Sequence, residues 1–135
     1  MDGSMKDITG TVRFDHGGLI PAAVQDQETG EVLMLVLLDA VSLKMCLETG
    51  RLHYFSPRRR KVWRKGETSG HYQEVVEVRK DCDDDALLIR VRPAGGACHE
   101  GYRSCFHRVL DEGSWRTDRE KVFDPRTVYP EYTYK

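Results

Sequence analysis

No stretch of this 135-residue chain is apolar for long enough to cross a bilayer. The longest mainly apolar run, Val32 to Leu38, falls far short of the roughly 20 residues a membrane helix needs. Nor is charge of one sign in excess. Lysine and arginine number 21 against 22 aspartates and glutamates, a formal net charge of -1, whereas a general nucleic-acid binder carries a basic excess or stripe. Met1 to Asp7 includes Asp2, Lys6 and Asp7 with no apolar segment behind it, so no secretory signal is read there and a reducing, cytoplasmic location is expected. The four cysteines, Cys46, Cys82, Cys98 and Cys105, are then thiols or metal ligands rather than disulfides. Also absent are paired Cys-x-x-Cys knuckles, a Walker A motif and the His-x-Glu with Pro-Cys-x-x-Cys signature of zinc nucleobase deaminases. An EF-hand loop fails as well. With Asp81 at its first position, the required Gly and Glu would fall on Ala86 and Arg92.

What is present fits one soluble domain spanning 1–135, with no internal repeat and no linker to divide it. Leu19 to Val24 and Val32 to Leu38 read as a hairpin around Asp26-Gln27-Glu28-Thr29-Gly30. The second strand is apolar on both faces, which predicts a central, buried position. Asp39 is a helix N-cap. Ala40, Leu43, Cys46 and Leu47 share one helical face, and Gly50 is a stop, so a short helix is expected over 40–49 with Cys46 in the core. Further strands are expected at Leu52 to Ser56, Trp63 to Lys65, Tyr72 to Lys80 and Ala86 to Arg92, the last two from alternation. The tail from Asp111 to Lys135 shows little period. The fold class is α+β, mostly antiparallel sheet with a short helix.

Three constellations carry chemistry. In Asp81-Cys82-Asp83-Asp84-Asp85, extended backbone would put Asp81, Asp83 and Asp85 on one side and Cys82 on the other. Hard carboxylates suit Mg²⁺ and a soft thiolate suits zinc; a solvated acidic turn is the plainer alternative. Cys98-His99 and Cys105 sit in a glycine-rich loop. With Cys82 they give three thiols, which either leave an open coordination position for water or form a structural site closed by His99 or His107. The third is the basic run Arg58-Arg59-Arg60-Lys61-Val62-Trp63-Arg64-Lys65 leading to Gly66-Glu67-Thr68-Ser69-Gly70, able to hold phosphate or simply solvated.

The stretch from Gly18 to His107 resembles the phosphoribosyl-AMP cyclohydrolases of histidine biosynthesis. The resemblance rests on Gly18-Leu19-Ile20-Pro21-Ala22, Gln25-Asp26-x-x-Thr29-Gly30-Glu31-Val32-Leu33-Met34, Leu47-Glu48-Thr49-Gly50 and Trp63-x-Lys65-Gly66-Glu67-Thr68-Ser69-Gly70. Asp81-Cys82-Asp83-x-Asp85 and Pro93-Ala94-Gly95-x-Ala97-Cys98-His99-x-Gly101-x-Arg103-Ser104-Cys105-Phe106 complete it. These segments cover about two thirds of the chain in the family's order, placing a motif-bearing core at about 18–108 and leaving 111–135 without an assigned role.

The resemblance implies a zinc-dependent cyclic amidine hydrolase that cleaves the N1–C6 bond of the adenine ring of 1-(5-phosphoribosyl)-AMP by attack of a zinc-activated water. The product is the ring-opened phosphoribosylformimino aminoimidazole carboxamide ribotide. It implies Cys82, Cys98 and Cys105 as zinc ligands, with Cys82 contributed by the second subunit of an intertwined homodimer, and Asp81, Asp83 and Asp85 as a Mg²⁺ site. His99 becomes the candidate general base or acid, with His71 as the other titratable group in question. Arg58, Arg59, Arg64, Lys65, Thr68, Ser69 and Arg103 become candidates for the phosphates of a small-molecule nucleotide; neither nucleic acid nor membrane is an expected partner. The chain departs from the family pattern at Val36-Leu37-Leu38-Asp39, Pro57, His71 and Gly96, none of them a proposed metal ligand. Only about 25 residues follow the motifs, so a single activity is expected. The competing reading is a non-catalytic zinc module that binds nucleic acid or a protein partner through the basic run.

Overall fold

The computed structural model describes residues 8–66, 71–93, 95, 98 and 100–128. Turn chemistry sets its first hairpin. Strand β1 (Ile20–Asp26) pairs antiparallel with β2 (Val32–Leu38). Between them Asp26 Oδ1 accepts the N–H groups of Glu28 (2.8 Å) and Thr29 (3.3 Å), and Gly30 takes φ 78°, an Asx turn closed by a left-handed residue. Helix α1 (Ala40–Thr49) follows with the boundaries the sequence predicts. Asp39 and Ser42 cap it reciprocally: the carboxylate accepts the Ser42 N–H at 2.8 Å, and Ser42 Oγ accepts the Asp39 N–H at 2.9 Å. Gly50 ends the helix at φ 73° and donates to the Cys46 carbonyl at 3.0 Å.

Strands β3 (His53–Ser56), β4 (Lys61–Arg64), β5 (Gln73–Lys80) and β6 (Leu87–Pro93) complete a six-stranded sheet in the order β4-β3-β2-β1-β6-β5. Its pairings are antiparallel except that of β1 with β6, which is parallel. The sheet curls. Leu52 N–H donates to the Gln73 carbonyl and Val75 N–H to the Gly50 carbonyl, each at 2.8 Å, so the lead-in to β3 meets the start of β5. Ile20, Val24, Leu33, Leu38, Ile89 and Val91 form the core together with Leu43 and Cys46 of α1. Each buried aliphatic side chain of this kind stabilises by about 1.5–3 kcal/mol. The α+β, mostly antiparallel fold with a short helix is the one observed.

Some expectations need correction. β2 is not buried on both faces: Leu35 is 62% exposed and Val32 42%. The core joins α1 on the face of Ile20, Val24 and Leu38, and the described residues leave Leu35, on the other face, uncovered. The basic run is divided, with 57–60 a turn and β4 beginning at Lys61, two residues before the expected start. The tail is not featureless. β7 (Arg108–Asp111) pairs with β8 (Ser114–Thr117) around Glu112 and Gly113, both at positive φ (49° and 82°), the backbone of a two-residue primed turn. Every residue of both strands is exposed. A final short helix, α2 (Pro125–Val128), follows.

Cys46 is the core residue its helical position predicts. Its Sγ accepts the His53 N–H and donates to the His53 carbonyl, both at 3.1 Å. Burial pushes this thiol up from 9.0 to about 11. The folded chain therefore holds the proton more tightly than the unfolded chain. That contribution is fully present below pH 9 and is lost as pH rises to about 11; it amounts to about 2–3 kcal/mol. The urea midpoint should therefore fall more steeply between pH 9 and 11 in the wild type than in Cys46→Ser, whose hydroxyl does not titrate there. Parallel curves would contradict this account of the buried thiol.

Candidate metal centre

The loop after β6 is held against the sheet by buried polar contacts. Cys105 N–H donates to the Leu33 carbonyl at 2.7 Å. Ser104, 2% exposed, donates through Oγ to the Val32 carbonyl at 2.7 Å and accepts the Phe106 N–H at 3.0 Å. Arg103 Nη1 reaches the buried Asp26 Oδ2 at 3.3 Å, so the turn that closes the first hairpin also anchors the loop. Within the loop, Cys98 N–H donates to the Tyr102 carbonyl and Gly101 N–H to the Cys98 carbonyl, each at 3.0 Å. Gly101 has φ 102°, and a Cβ there would meet the Phe123 carbonyl at 2.5 Å, so the position requires glycine.

This scaffold brings Cys98 and Cys105 together. Cys98 is buried, and the Cys105 thiol hydrogen-bonds the Cys98 side chain at the mouth of the site. That bond, then burial, raises the Cys105 pKa, while the nearby Lys65 ammonium works against the rise. Lys65 is itself buried. Burial lowers its pKa, and the two thiols oppose that by favouring its charge. Two soft sulfurs side by side form a donor pair of the kind zinc accepts, and binding a metal there would release the protons they hold. Cys98 also belongs to a second group: its Sγ, a Glu100 carboxylate oxygen and a His107 ring nitrogen lie within 4.8 Å of one another and could hold a metal ion. Glu100 and His107 come within 3.7 Å, and the His107 ring stacks on Tyr102 with centroids 3.8 Å apart.

Cys82 is elsewhere. It is exposed in the turn between β5 and β6. The whole of β6, about 20 Å of strand at ~3.3 Å per residue, separates that turn from the loop bearing Cys98. Asp81, Asp83 and Asp85 share the turn and do converge, with an oxygen of each within 4.8 Å of the others. They do so for a reason other than strand alternation. The backbone folds: Asp84 takes φ 62°, Asp84 N–H donates to the Asp81 carbonyl at 3.2 Å, and Asp85 N–H donates to Asp81 Oδ1 at 3.1 Å. Partial desolvation works upward on Asp81, but hydrogen bonds from Asp85, Ala86 and Asp83 outweigh it and hold the carboxyl below its usual range. Asp85 is raised by the hydrogen bond it gives Asp81, by desolvation and by the neighbouring charges.

The remaining predicted residues are dispersed. Arg58 and Arg59 lie in the exposed 57–60 turn, with the Arg59 guanidinium 4.2 Å over the Trp63 ring. Arg64, on β4, sits 5.2 Å over Tyr72. Arg103 lines a cavity of about 190 Å³ with His71, Gly95 and Phe123. A larger one, about 500 Å³, is lined by Arg51, Tyr72, Glu74 and Arg92 and shares Pro93 with the first. Arg51 and Arg92 escaped the sequence reading because they stand outside the basic run and reach a common cavity only through the curl of the sheet. His99, Thr68 and Ser69 lie outside the described residues.

Comparison with known proteins agrees in one direction. The family model described as phosphoribosyl-AMP cyclohydrolase matches residues 34–107. The chain is similar to the phosphoribosyl-AMP cyclohydrolase of Salinibacter ruber, 56% identical over 116 residues, which cover 86% of this chain and 91% of that protein. Its similarity to the Haloquadratum walsbyi protein of the same name is 51% identity, covering 94% of each chain. For the one from Methanothermobacter thermautotrophicus it is 48%, covering 93% of this chain and 96% of that one.

Ser104 tests the scaffold without touching a thiol. Ser104→Ala removes the donor to Val32 and the acceptor for Phe106, and should cost about 1–3 kcal/mol by urea denaturation. It should also speed loss of bound zinc to a chelator. An unchanged midpoint with unchanged zinc release would mean that the loop is positioned by something else.

Proposed function

The chain belongs to the phosphoribosyl-AMP cyclohydrolase family, and from that premise we propose that it hydrolyses the N1–C6 bond of the adenine ring of 1-(5-phosphoribosyl)-AMP in histidine biosynthesis. The product is the ring-opened carboxamide ribotide. One observation carries the reading from the side of the structure: Cys98 and Cys105 lie at hydrogen-bonding distance on a loop pinned to the sheet, next to the buried Lys65.

Cys98 and Cys105 are the zinc ligands supplied by one chain, and Cys82 of a second copy is the third. Zinc bound there would supply a Lewis acid that lowers the pKa of a water molecule to about 7. The rest is done by the chain. In the reaction the water oxygen becomes the carboxamide oxygen, and N1 keeps the electron pair of the broken bond and takes up a proton. His99, adjacent to Cys98 in sequence, is the proposed group for that transfer; His71, which lines the smaller cavity with Arg103, is the alternative. Arg103 is half exposed and already oriented by Asp26, which favours it as a phosphate contact; Arg58, Arg59, Arg64, Lys65, Thr68 and Ser69 remain the other candidates. Asp81, Asp83 and Asp85 are assigned to Mg²⁺, which would help hold the anionic substrate.

The proposal includes a homodimer. The length of β6 between Cys82 and the loop bearing Cys98 supports delivery of Cys82 by a second copy. Two exposed features favour this. Leu35 stands open on the sheet, and the β7–β8 hairpin presents Leu110 (59%) and Trp115 (70%) to solvent. A lone two-stranded hairpin is marginal in water, and burial against a partner would stabilise it. No helix among the described residues is long and apolar enough to cross a membrane; a cytoplasmic location and a single cyclohydrolase domain over the whole chain complete the proposal.

The test is ring opening followed by ultraviolet absorbance, with zinc-loaded and chelator-stripped protein and AMP as the control substrate. Turnover of phosphoribosyl-AMP that requires zinc, with none of AMP, is expected. Cys105→Ser should turn over no faster than stripped protein while keeping the wild-type circular dichroism, because the thiol lies at the surface end of its loop. Absence of turnover from folded, zinc-loaded wild type would overturn the assignment and return the non-catalytic zinc module to first place.

A further inference from the structure

We propose that Cys98, Glu100 and His107 form a metal-ligand set within one chain, able to retain a zinc-class cation without Cys82 or Cys105. One sulfur, one carboxylate oxygen and one ring nitrogen within 4.8 Å of one another are three donors that zinc accepts. A second observation is the state of His107. Its Nδ1 faces the Ser104 carbonyl at 3.2 Å. A carbonyl only accepts, so Nδ1 donates to it and Nε2 is the ring atom left to meet a ligand. That Nε2 is buried without a hydrogen-bond partner, and Glu100 Oε2 lies 3.7 Å from it.

A buried ring nitrogen and a carboxylate oxygen held side by side without a hydrogen bond are two donors that one cation would satisfy together. The ring cannot turn away easily. It is 3% exposed, and its face lies against Tyr102 with an interplanar angle of 11°. The other Glu100 oxygen, Oε1, is 3.6 Å from Arg108, which leaves Oε2 to the histidine. Glu100 N–H donates to Cys98 Sγ at 3.4 Å, which fixes the sulfur beside the carboxylate's own residue. The Ser104 carbonyl and the Glu100 N–H thus orient the imidazole and the sulfur from outside the ligand set, as outer hydrogen bonds do around bound zinc. Zinc as the cation rests on the functional reading above; the ligand set does not. A chain with this set can hold its ion before a second copy supplies Cys82, with the Cys98 thiolate common to both arrangements.

The measurement is zinc bound per chain at buffered free zinc, for the full-length protein and for variants confirmed as folded by circular dichroism. In Cys82→Ser/Cys105→Ser only Cys98 of the thiol set remains, and both changes are at exposed positions. This variant is expected to retain zinc. Adding His107→Gln, or separately Glu100→Gln should the buried change unfold the chain, is expected to weaken binding about tenfold or more. Cobalt substitution provides a second readout: the visible spectrum of the Cys82→Ser/Cys105→Ser protein should change on His107→Gln. Zinc binding by Cys82→Ser/Cys105→Ser no stronger than by the triple variant that also carries Cys98→Ser overturns the one-chain set. Binding that is indifferent to both His107 and Glu100 overturns it as well. If wild type binds zinc in either case, the thiol assignment survives; a wild type that binds none removes both.

Discussion

The length of strand β6 sets how far apart this chain holds its candidate metal ligands. Its seven residues, paired with β5 along their length and with β1 from Leu87 to Val91, hold its two ends apart. One end carries the acidic turn with Cys82, the other the loop with Cys98 and Cys105. Strands do not fold back on themselves, so within one chain β6 keeps Cys82 away from Cys98 and Cys105. Under the proposed three-thiol site, that separation would tie catalysis to association, with Cys82 and the carboxylates of one copy approaching the near end of another. The proposed dimer would also have Leu35 and the β7–β8 hairpin to bury, both open in a single chain.

Precision at the near end comes from buried hydrogen bonds rather than from regular structure. The described residues between Cys98 and His107 belong to no strand or helix of the fold. This loop is positioned by Ser104 and Cys105 on the first carbonyls of β2, by Arg103 on Asp26, and by Gly101 where only a glycine clears the Phe123 carbonyl. An unsatisfied buried polar group costs more than a made hydrogen bond gains, so such contacts select one arrangement of the thiols. Lys65 adds an electrostatic bias, since a buried ammonium beside two thiols favours their ionised forms and its own charge together.

Much of this was legible in the sequence where the signals are local. Asp39, Ser42 and Gly50 define α1 through capping chemistry that depends on neighbouring residues alone. The alternation of β5 and β6 and the Asx turn at Asp26 are equally local. Convergence of Asp81, Asp83 and Asp85 was legible too, although through the wrong geometry: the side chains gather on a folded turn, not along an extended strand. Non-local facts were not legible. Nothing in its composition distinguishes β2 as open on one face, because that depends on what packs over Leu35. The β7–β8 hairpin hides behind a Glu112-Gly113 turn whose first residue is an unusual occupant of positive φ. Glu100 carries no motif signal, and it matters only because the loop returns His107 to its side.

Subunit complementation tests the central claim most directly. Cys82→Ser and Cys98→Ser chains, each inactive alone, are mixed in equal amounts, unfolded and refolded together, and assayed for zinc-dependent ring opening. If each site draws Cys82 from one copy and Cys98 with Cys105 from the other, half of the reassorted dimers contain one intact site of two. About a quarter of wild-type activity per chain should then return. No recovery from mixtures shown to contain mixed dimers would contradict a site shared across the interface, and with it the role assigned to the length of β6.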